Sequence, residues 1–143
     1  MLLSQEAAAF ADAHRVGRLA TADADAVPHV VPFCYARAGD RFYFVIDDKP
    51  KRRTGRALKR MRNIAANPRV AFVIDDYDED WSRLAYLLVR GNAEVVEATK
   101  EYERILGVLR RRYPQYQAMA LEFTTHPMVR IEARAFHLWR ATS

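Results

Sequence analysis

Residues 84–97, LAYLLVRGNAEVVE, form the longest stretch of the chain that is typical of a single β-strand. Apolar residues occupy both odd and even positions from 85 to 89, so both faces of the predicted strand are apolar. A strand of this kind needs cover on both sides. The pattern therefore predicts a barrel wall whose outer face meets a second subunit, and Gly91 predicts a bulge or bend within it.

Five further stretches around this strand are rich in β-branched and aromatic residues and are bounded by turn residues. They are residues 16–21, 27–35, 41–46, 70–74 and 128–139. Strict alternation in the last stretch predicts one apolar face, made of Val129, Ile131, Ala133 and Ala135. Short turns at 23–25 and 39–40 indicate antiparallel neighbours.

Three helices complete the prediction. Ser4 can cap the first, which runs to about residue 14, and Thr99 can cap the third, which Pro114 ends. The second helix ends at Asn67-Pro68. We therefore predict a mainly β fold with α (α+β), with six strands in one antiparallel-rich domain over residues 1–143. A domain of this length can fold without disulfide bonds or a bound metal ion.

Two prolines interrupt the second predicted strand. Pro28 and Pro32 lack the N–H group with which a strand donates to its neighbour. They indicate an edge strand, or a place where the ladder opens around a ligand.

Positive charge is concentrated in residues 49–69, KPKRRTGRALKRMRNIAANPR. This segment holds nine of the 23 basic residues and no acid, whereas the other 14 basic residues face 18 acids. A helix N-terminus beside a basic loop suits a phosphate, because free backbone N–H groups and the helix dipole add to the side-chain charges. The segment is thus a candidate anion site; the alternative is a solvated basic helix face.

Residues 75–80, DDYDED, hold five acids in six positions and follow the predicted strand 70–74. They could pair with the nearby basic helix. We favour a solvated acidic loop instead.

Several function classes lack support in the sequence. There is no GxSxG elbow, and the isolated glycines form neither a P-loop nor a Rossmann cluster. The single cysteine, Cys34, and four dispersed histidines favour no metal site. No run is apolar enough for a membrane span and the N-terminal residues do not have the pattern of a signal peptide, so we expect a cytoplasmic protein. The basic segment has no aromatic residue for base stacking, which makes a nucleic-acid partner unlikely.

Three motifs in order carry a family resemblance: TADADAVPHVVPFCYARAGDRFYFVIDDKPK (21–51), RNIAANPRVAFVIDDYDEDWS (62–82) and LLVRGNAEVVE (87–97). Together they resemble the pyridoxamine phosphate oxidase-like split-barrel family of flavin and deazaflavin oxidoreductases, and most closely its probable coenzyme F420-dependent members. The resemblance spans about residues 4–140. It implies a six-stranded antiparallel split β-barrel, and a homodimer with two cofactor sites at its interface.

The resemblance also assigns candidate cofactor-binding residues. The ring would lie against the second and third strands and the phosphate against the basic segment, with an aromatic wall. The ring residues are Val30, Val31, Pro32, Val45, Ile46 and Asp47, the phosphate residues are Lys49, Lys51 and Arg60, and the wall is Trp81. The basic loop is longer than in many relatives, which leaves the phosphate-binding residue open within one helical turn. No catalytic residue is assigned.

The implied function is an oxidoreductase that transfers a hydride between coenzyme F420, or alternatively FMN, and a small organic substrate. A cofactor explains why no catalytic motif is present, since it supplies the reactive atom. Nine basic residues exceed what the single phosphate of FMN can use, which favours F420 with its anionic tail. The alternatives are an FMN-dependent pyridoxamine phosphate oxidase-like enzyme and a non-catalytic flavin or deazaflavin carrier.

Overall fold

The computed structural model describes residues 1–47 and 58–142. The predictions for Lys49 and Lys51 lie outside these residues. The described elements are three helices, two 3₁₀ turns and seven strands. They are α1 (Gln5–Ala13), β1 (Gly17–Ala22), β2 (Pro28–Phe33), β3 (Ala36–Ala38), β4 (Arg41–Val45), α2 (Lys59–Ala66), β5 (Arg69–Asp76), the turn Trp81–Arg83, β6 (Ala85–Val95), α3 (Thr99–Arg112), the turn Pro114–Ala118 and β7 (Met128–Arg140).

All seven strands belong to one antiparallel sheet in the order β2-β1-β5-β6-β7-β4-β3. The two edge strands, β2 and β3, are separated in the chain only by Cys34 and Tyr35. Three residue steps span at most about 11 Å, so the two edges must lie close together and the sheet is rolled up. This is the predicted split barrel, and β2 is the edge strand that its prolines indicated.

The strand count differs from the prediction by one. We predicted a single strand over residues 27–35, whereas β2 ends at Phe33 and a short β3 follows. At the break, the Tyr35 N–H donates to the Tyr113 hydroxyl at 3.0 Å instead of to a neighbouring strand. A partner more than seventy residues away in the chain thus ends β2, and local sequence carries no sign of it.

The long strand β6 lies at the centre of the sheet, between β5 and β7. Its pairing with β7 shifts where Arg90 pairs with Ala135 and Gly91 with Ala133, which leaves Arg134 as the extra residue of a bulge. A Cβ at position 91 would lie 2.3 Å from the Glu132 carbonyl oxygen, so only glycine fits there. The bulge at Gly91 is confirmed.

The bulge also corrects one prediction. We placed Ala135 on the apolar face of the last strand, but it is exposed. The extra residue reverses the alternation beyond position 134, so Phe136 and Leu138 turn to the core in its place.

Two apolar clusters hold the domain together. One fills the barrel interior with large side chains such as Leu19, Phe72 and Leu87. The other lies where α3 packs against the outer side of β3 and β4, and includes Tyr43 and Ile105. Burial of this apolar surface is the main favourable contribution to folding.

The predicted N-cap residue is observed at α1 but not at α3. The Ser4 hydroxyl oxygen accepts a hydrogen bond from the Ala7 N–H at 3.1 Å, as predicted. Thr99, however, is the first residue of α3, and the N-cap is Ala98, whose side chain cannot cap. The prediction of a Thr99 cap was therefore wrong. Within the described residues, no helix is long and apolar enough to cross a membrane.

The acidic residues 75–80 make ion pairs with α1 and β1 and cap the following 3₁₀ turn. Asp75 pairs with Arg18 at 2.6 Å and Asp76 with His14 at 2.6 Å. Asp80 caps the 3₁₀ turn through the Ser82 N–H at 3.1 Å. Among the described residues, none of these acids pairs with α2, so the basic helix is not neutralised by this loop.

Candidate functional site

A cavity of about 450 Å³ opens between the end of β2, the end of β4 and the start of α2. We call it the Arg60 cavity. Half of the predicted cofactor-binding residues line this cavity, together with several apolar side chains. Its lining is Val16, Val31, Pro32, Phe33, Cys34, Phe44, Val45, Asp47, Arg60 and Tyr116.

The backbone explains why these strands border an opening. Pro32 occupies the edge strand, where its missing N–H costs no ladder bond. β4 ends at Val45, and Asp47 follows two residues later with only 7% of its surface exposed. A buried carboxylate therefore lies at the mouth of an otherwise largely apolar pocket.

Arg60 is the feature of the cavity that most needs a partner. It lies in the first turn of α2, held there because Met61 and Ile64 of the same helix are buried in the barrel core. Its Nε atom is buried and has no hydrogen-bond partner among the described residues. Its guanidinium carbon lies 5.7 Å from the centre of the Phe44 ring.

The pKa of Arg60 also indicates a guanidinium group that the fold does not fully stabilise. Burial lowers the pKa of the Arg60 guanidinium, and the negative charge of Asp47 opposes that effect only in part. A buried donor without an acceptor costs roughly 1–3 kcal/mol, and more when it is charged. An anion placed in the cavity would relieve this cost, which makes Arg60 fit a ligand that carries a phosphate.

Asp47 is held by a residue that sequence reasoning missed. The Tyr116 hydroxyl donates to Asp47 Oδ2 at 2.7 Å, and both groups are buried. Burial raises the pKa of Tyr116, with the hydrogen bond to Asp47 adding to the effect, so the phenol stays protonated as a donor. Tyr116 lies in the 3₁₀ turn after α3, far from Asp47 in the chain, and no sequence motif marks it.

A second missed contact anchors α2. The Asn63 side-chain amide donates to the Thr21 hydroxyl oxygen at 3.0 Å, and both residues are almost fully buried. This bond fixes α2 against β1. Because Arg60 lies one turn earlier on the same helix, the Asn63–Thr21 bond also helps to hold Arg60 over the cavity.

The other predicted residues lie elsewhere. Ile46 is buried in the barrel interior, Val30 is 62% exposed on the outer face of β2, and Trp81 is 68% exposed in the 3₁₀ turn before β6. None of the three lines the Arg60 cavity. Across residues 1–47 and 58–142, no group of three or more histidine, cysteine or acidic side chains is arranged to hold a metal ion.

Comparison with known proteins identifies the family. A sequence profile described as pyridoxamine 5'-phosphate oxidase matches residues 3–141, nearly the whole chain. The chain belongs to this family. The rolled antiparallel sheet and the cavity at the end of β2 and β4 are thus the family's split barrel and a pocket within it.

A relative and two solved structures refine this picture. A 5a,11a-dehydrotetracycline/5a,11a-dehydrooxytetracycline reductase from Streptomyces rimosus is 31% identical over 97 residues, which cover 67% of this chain and 66% of that protein. A conserved hypothetical protein from Mycobacterium tuberculosis is 26% identical with a TM-score of 0.78, covering 99% of this chain and 87% of the other. An FAD-binding protein from Mesorhizobium loti is 25% identical with a TM-score of 0.68, covering 94% and 90%.

Of these similar proteins, one is a reductase and one binds FAD. The Arg60 cavity of this chain offers apolar surface for a ring and a half-buried cation for an anion. The chain spans about two thirds of the length of the reductase that it matches.

Proposed function

We propose that the protein is an oxidoreductase that binds a flavin-type cofactor in the Arg60 cavity, and that this cofactor is the deazaflavin coenzyme F420 in preference to FMN. The observation that carries the proposal is the buried Nε atom of the half-buried Arg60, which has no hydrogen-bond partner among the described residues. A phosphate group is the ligand that such a cation fits best, because a charge-assisted hydrogen bond is about twice as strong as a neutral one.

The residues of the cavity have separable roles in this proposal. Val31, Pro32 and Val45 supply apolar contact for the ring and exclude water from it. Asp47, oriented by Tyr116, accepts a hydrogen bond at the ring edge. Arg60 holds the phosphate, and Lys49 and Lys51 are proposed to assist it. When bound, the cofactor supplies the hydride chemistry, while the chain binds and orients it.

The preference for F420 rests on charge. FMN has one phosphate, which two or three basic residues satisfy, whereas residues 49–69 carry nine. Of these, Arg62 and Arg69 are exposed and make no ion pair with a described residue, and Lys59 pairs only with Asp23, at 3.5 Å. The anionic tail of F420 would contact basic side chains of this segment, from Lys51 to Arg62.

A homodimer is part of the proposal. The outer face of β2, β5, β6 and β7 carries apolar side chains that are exposed or only half-buried: Val30, Val73, Tyr86, Leu88 and Trp139. Tyr86 and Trp139 stack there with ring centres 5.7 Å apart. Exposed apolar surface of this kind is typical of an interface. Light scattering at micromolar concentration should give about twice the chain mass of 16.5 kDa.

Titration of F420 and FMN into Arg60→Gln tests the site. Loss of a charge-assisted bond of roughly 1.5–3 kcal/mol should weaken both cofactors by about tenfold or more. Arg134→Gln, an exposed change on β7 outside both the basic segment and the cavity, is the matched control and should bind as the unsubstituted protein does. Equal binding by Arg60→Gln and the control would show that the anion site has been misplaced.

Salt separates the two cofactors. Contacts to an exposed tail are screened within a Debye length of about 8 Å at physiological ionic strength, whereas a buried phosphate is screened less. We expect F420 to bind more tightly than FMN at low salt, with an advantage that shrinks as salt rises and that Arg62→Gln reduces. Tighter FMN binding at every salt concentration would overturn the choice of F420. Reduction of the bound cofactor by a substrate then distinguishes an enzyme from a carrier.

A further inference from the structure

A second opening adjoins the Arg60 cavity and has no role in the function proposed so far. It measures about 480 Å³ and lies between residues that flank β1 and β2 (Arg15, Val16 and Cys34) and the 3₁₀ turn that follows α3. Val16, Cys34 and Tyr116 line both openings, so the two spaces meet along these side chains. We call the second opening the Met119 recess, after the residue at its far wall.

The recess has a largely apolar interior, and hydrogen bonds hold Tyr113 in its wall. Tyr113 is buried, its hydroxyl lies 2.7 Å from the Arg15 carbonyl oxygen and it accepts from the Tyr35 N–H. Pro114 and Met119 complete the wall on the side of the 3₁₀ turn. Side chains held in this way do not need to reorganise to receive a ligand, which lowers the cost of binding.

One of the two arginines in the lining is already committed. The Arg112 guanidinium donates to the carbonyl oxygens of Ala11, Asp12 and His14 at the end of α1. It also lies 4.9 Å from the centre of the Tyr35 ring. Arg112 therefore serves the packing of α1 and has little capacity left for a ligand.

Arg15 differs from Arg112 in having its charge available. It is exposed at the rim of the recess, and its side chain makes no ion pair or hydrogen bond with any residue that the structure describes. The recess thus combines an apolar interior with one cation at its opening. That combination complements a molecule with an apolar ring body and a single acidic group.

We propose that the Met119 recess binds the substrate, and that this substrate is a flat, largely apolar ring compound carrying one anionic group. The ring would lie against Tyr113, Pro114 and Met119, and the anionic group would face Arg15. Calling this ligand the substrate rests on the proposed function, because the recess opens onto the cavity assigned to the cofactor. Its volume lies within the roughly 300–1,000 Å³ typical of small-molecule pockets.

Two glutamines of one 3₁₀ turn provide a matched test. Gln115 and Gln117 are both exposed, but only Gln115 lines the recess. Calorimetric titration with 2-naphthoate, a two-ring carboxylate, should show binding to the unsubstituted protein. Gln115→Trp should weaken that binding about tenfold or more by filling the opening, and Gln117→Trp should leave it within about twofold.

The charge is tested in the same way. Arg15→Gln should weaken 2-naphthoate by about threefold to fivefold, the range expected for an exposed ion pair, and should leave the neutral 2-acetylnaphthalene unchanged. Arg111→Gln, an exposed arginine outside the recess, should affect neither probe. Absence of 2-naphthoate binding would overturn the proposal. So would an equal loss of binding in Gln115→Trp and Gln117→Trp, or in Arg15→Gln and Arg111→Gln.

These results are independent of the cofactor result. Arg60→Gln, which removes the proposed phosphate contact, should leave 2-naphthoate binding within about twofold, and Gln115→Trp should leave the binding of F420 and FMN within the same range. A protein that binds the cofactor but not 2-naphthoate would refute the recess alone. One that binds 2-naphthoate at the recess but no cofactor would refute the function proposed for the Arg60 cavity.

Discussion

Two half-buried arginines, Arg60 on α2 and Arg130 on β7, differ in whether the fold provides them with partners. Arg130, on β7, has a side chain 18% exposed and donates to Glu101 at 2.8 and 3.0 Å and to Glu94. Arg60 is also half-buried, but its buried Nε has no partner among the described residues. One charge is paired within the fold, and the other is left for a ligand.

The pKa directions express the same difference. Burial alone would lower the pKa of both guanidinium groups. At Arg130 the hydrogen bonds and charges of Glu101 and Glu94 outweigh burial and raise the pKa. At Arg60 burial prevails over the charge of Asp47 and lowers the pKa. A buried arginine therefore indicates a ligand site only when the fold does not satisfy it.

Arg130→Gln should have the largest effect on stability. It leaves the half-buried Glu101 carboxylate without its main counter-charge, at a cost of about 3 kcal/mol in the free energy of unfolding. Denaturant unfolding at pH 7 measures this cost. Arg134→Gln, an exposed change on the same strand, is the control and should lie within about 0.5 kcal/mol of the unsubstituted protein.

Glu101→Gln should cost about 2 kcal/mol at pH 7, because Glu101 accepts hydrogen bonds from Tyr43 at 2.7 Å and from Arg130. Burial would raise the pKa of Glu101, but these bonds and the positive charge of Arg130 lower it overall. A lowered folded-state pKa contributes stability above the unfolded-state value of 4.5, and that contribution is lost as the pH falls through the folded-state pKa.

The difference between Glu101→Gln and the unsubstituted protein should therefore be constant near neutral pH and shrink in acid. Unfolding curves recorded from pH 7 down to pH 3 measure it. A difference that stays the same over the whole range would contradict the assignment of the stabilising charge to Glu101.

Tyr116→Phe should cost about 1 kcal/mol, since it removes one buried hydrogen bond to Asp47 and leaves the ring in place. Tyr77→Phe, which removes only a long 3.4 Å contact on an exposed residue, is the control and should be neutral. If Asp47 orients the ring of the cofactor, Tyr116→Phe should also weaken cofactor binding, while Tyr77→Phe should not.

Arg60→Gln should have the smallest effect on the ligand-free protein, less than about 1 kcal/mol, because Nε has no hydrogen bond to a described residue that the change could remove. Thermal unfolding of Arg60→Gln and of the unsubstituted protein, each with and without cofactor, measures how much the ligand stabilises each of them. Ligand stabilisation should largely disappear in Arg60→Gln. A large loss of stability without ligand would mean that Arg60 is structural, as Arg130 is.

The fold was predictable where its determinants are local. Alternation and β-branched residues located the main strands, Gly91 located the bulge, and Pro28 and Pro32 located an edge strand. The errors have non-local causes. β2 ends because Tyr35 bonds to Tyr113, and Ala135 is exposed because one extra residue shifts the pairing of β7.

The site was predictable only in part. Family resemblance selected Val31, Pro32, Val45, Asp47 and Arg60, which the structure brings to one cavity. It could not select Tyr116 or the Asn63–Thr21 bond, because these contacts join segments 69 and 42 positions apart and involve residue types common elsewhere in the chain. Among the basic residues of segment 49–69 that the structure describes, Arg60 stands out through its buried Nε atom without a described partner, a property that sequence does not record.

The position of β7 in the sheet has a consequence for synthesis of the chain on the ribosome. β7 comes after the other six described strands in the chain, yet among the described strands it alone links the four strands β2-β1-β5-β6 to the pair β4-β3. Until residues 128–140 emerge, the nascent chain holds two incomplete sheets whose edges, β6 and β4, are open to other chains. Chaperone capture or misassembly should therefore peak just before β7 leaves the ribosome, and nascent chains truncated before residue 128 should be the most prone to aggregate.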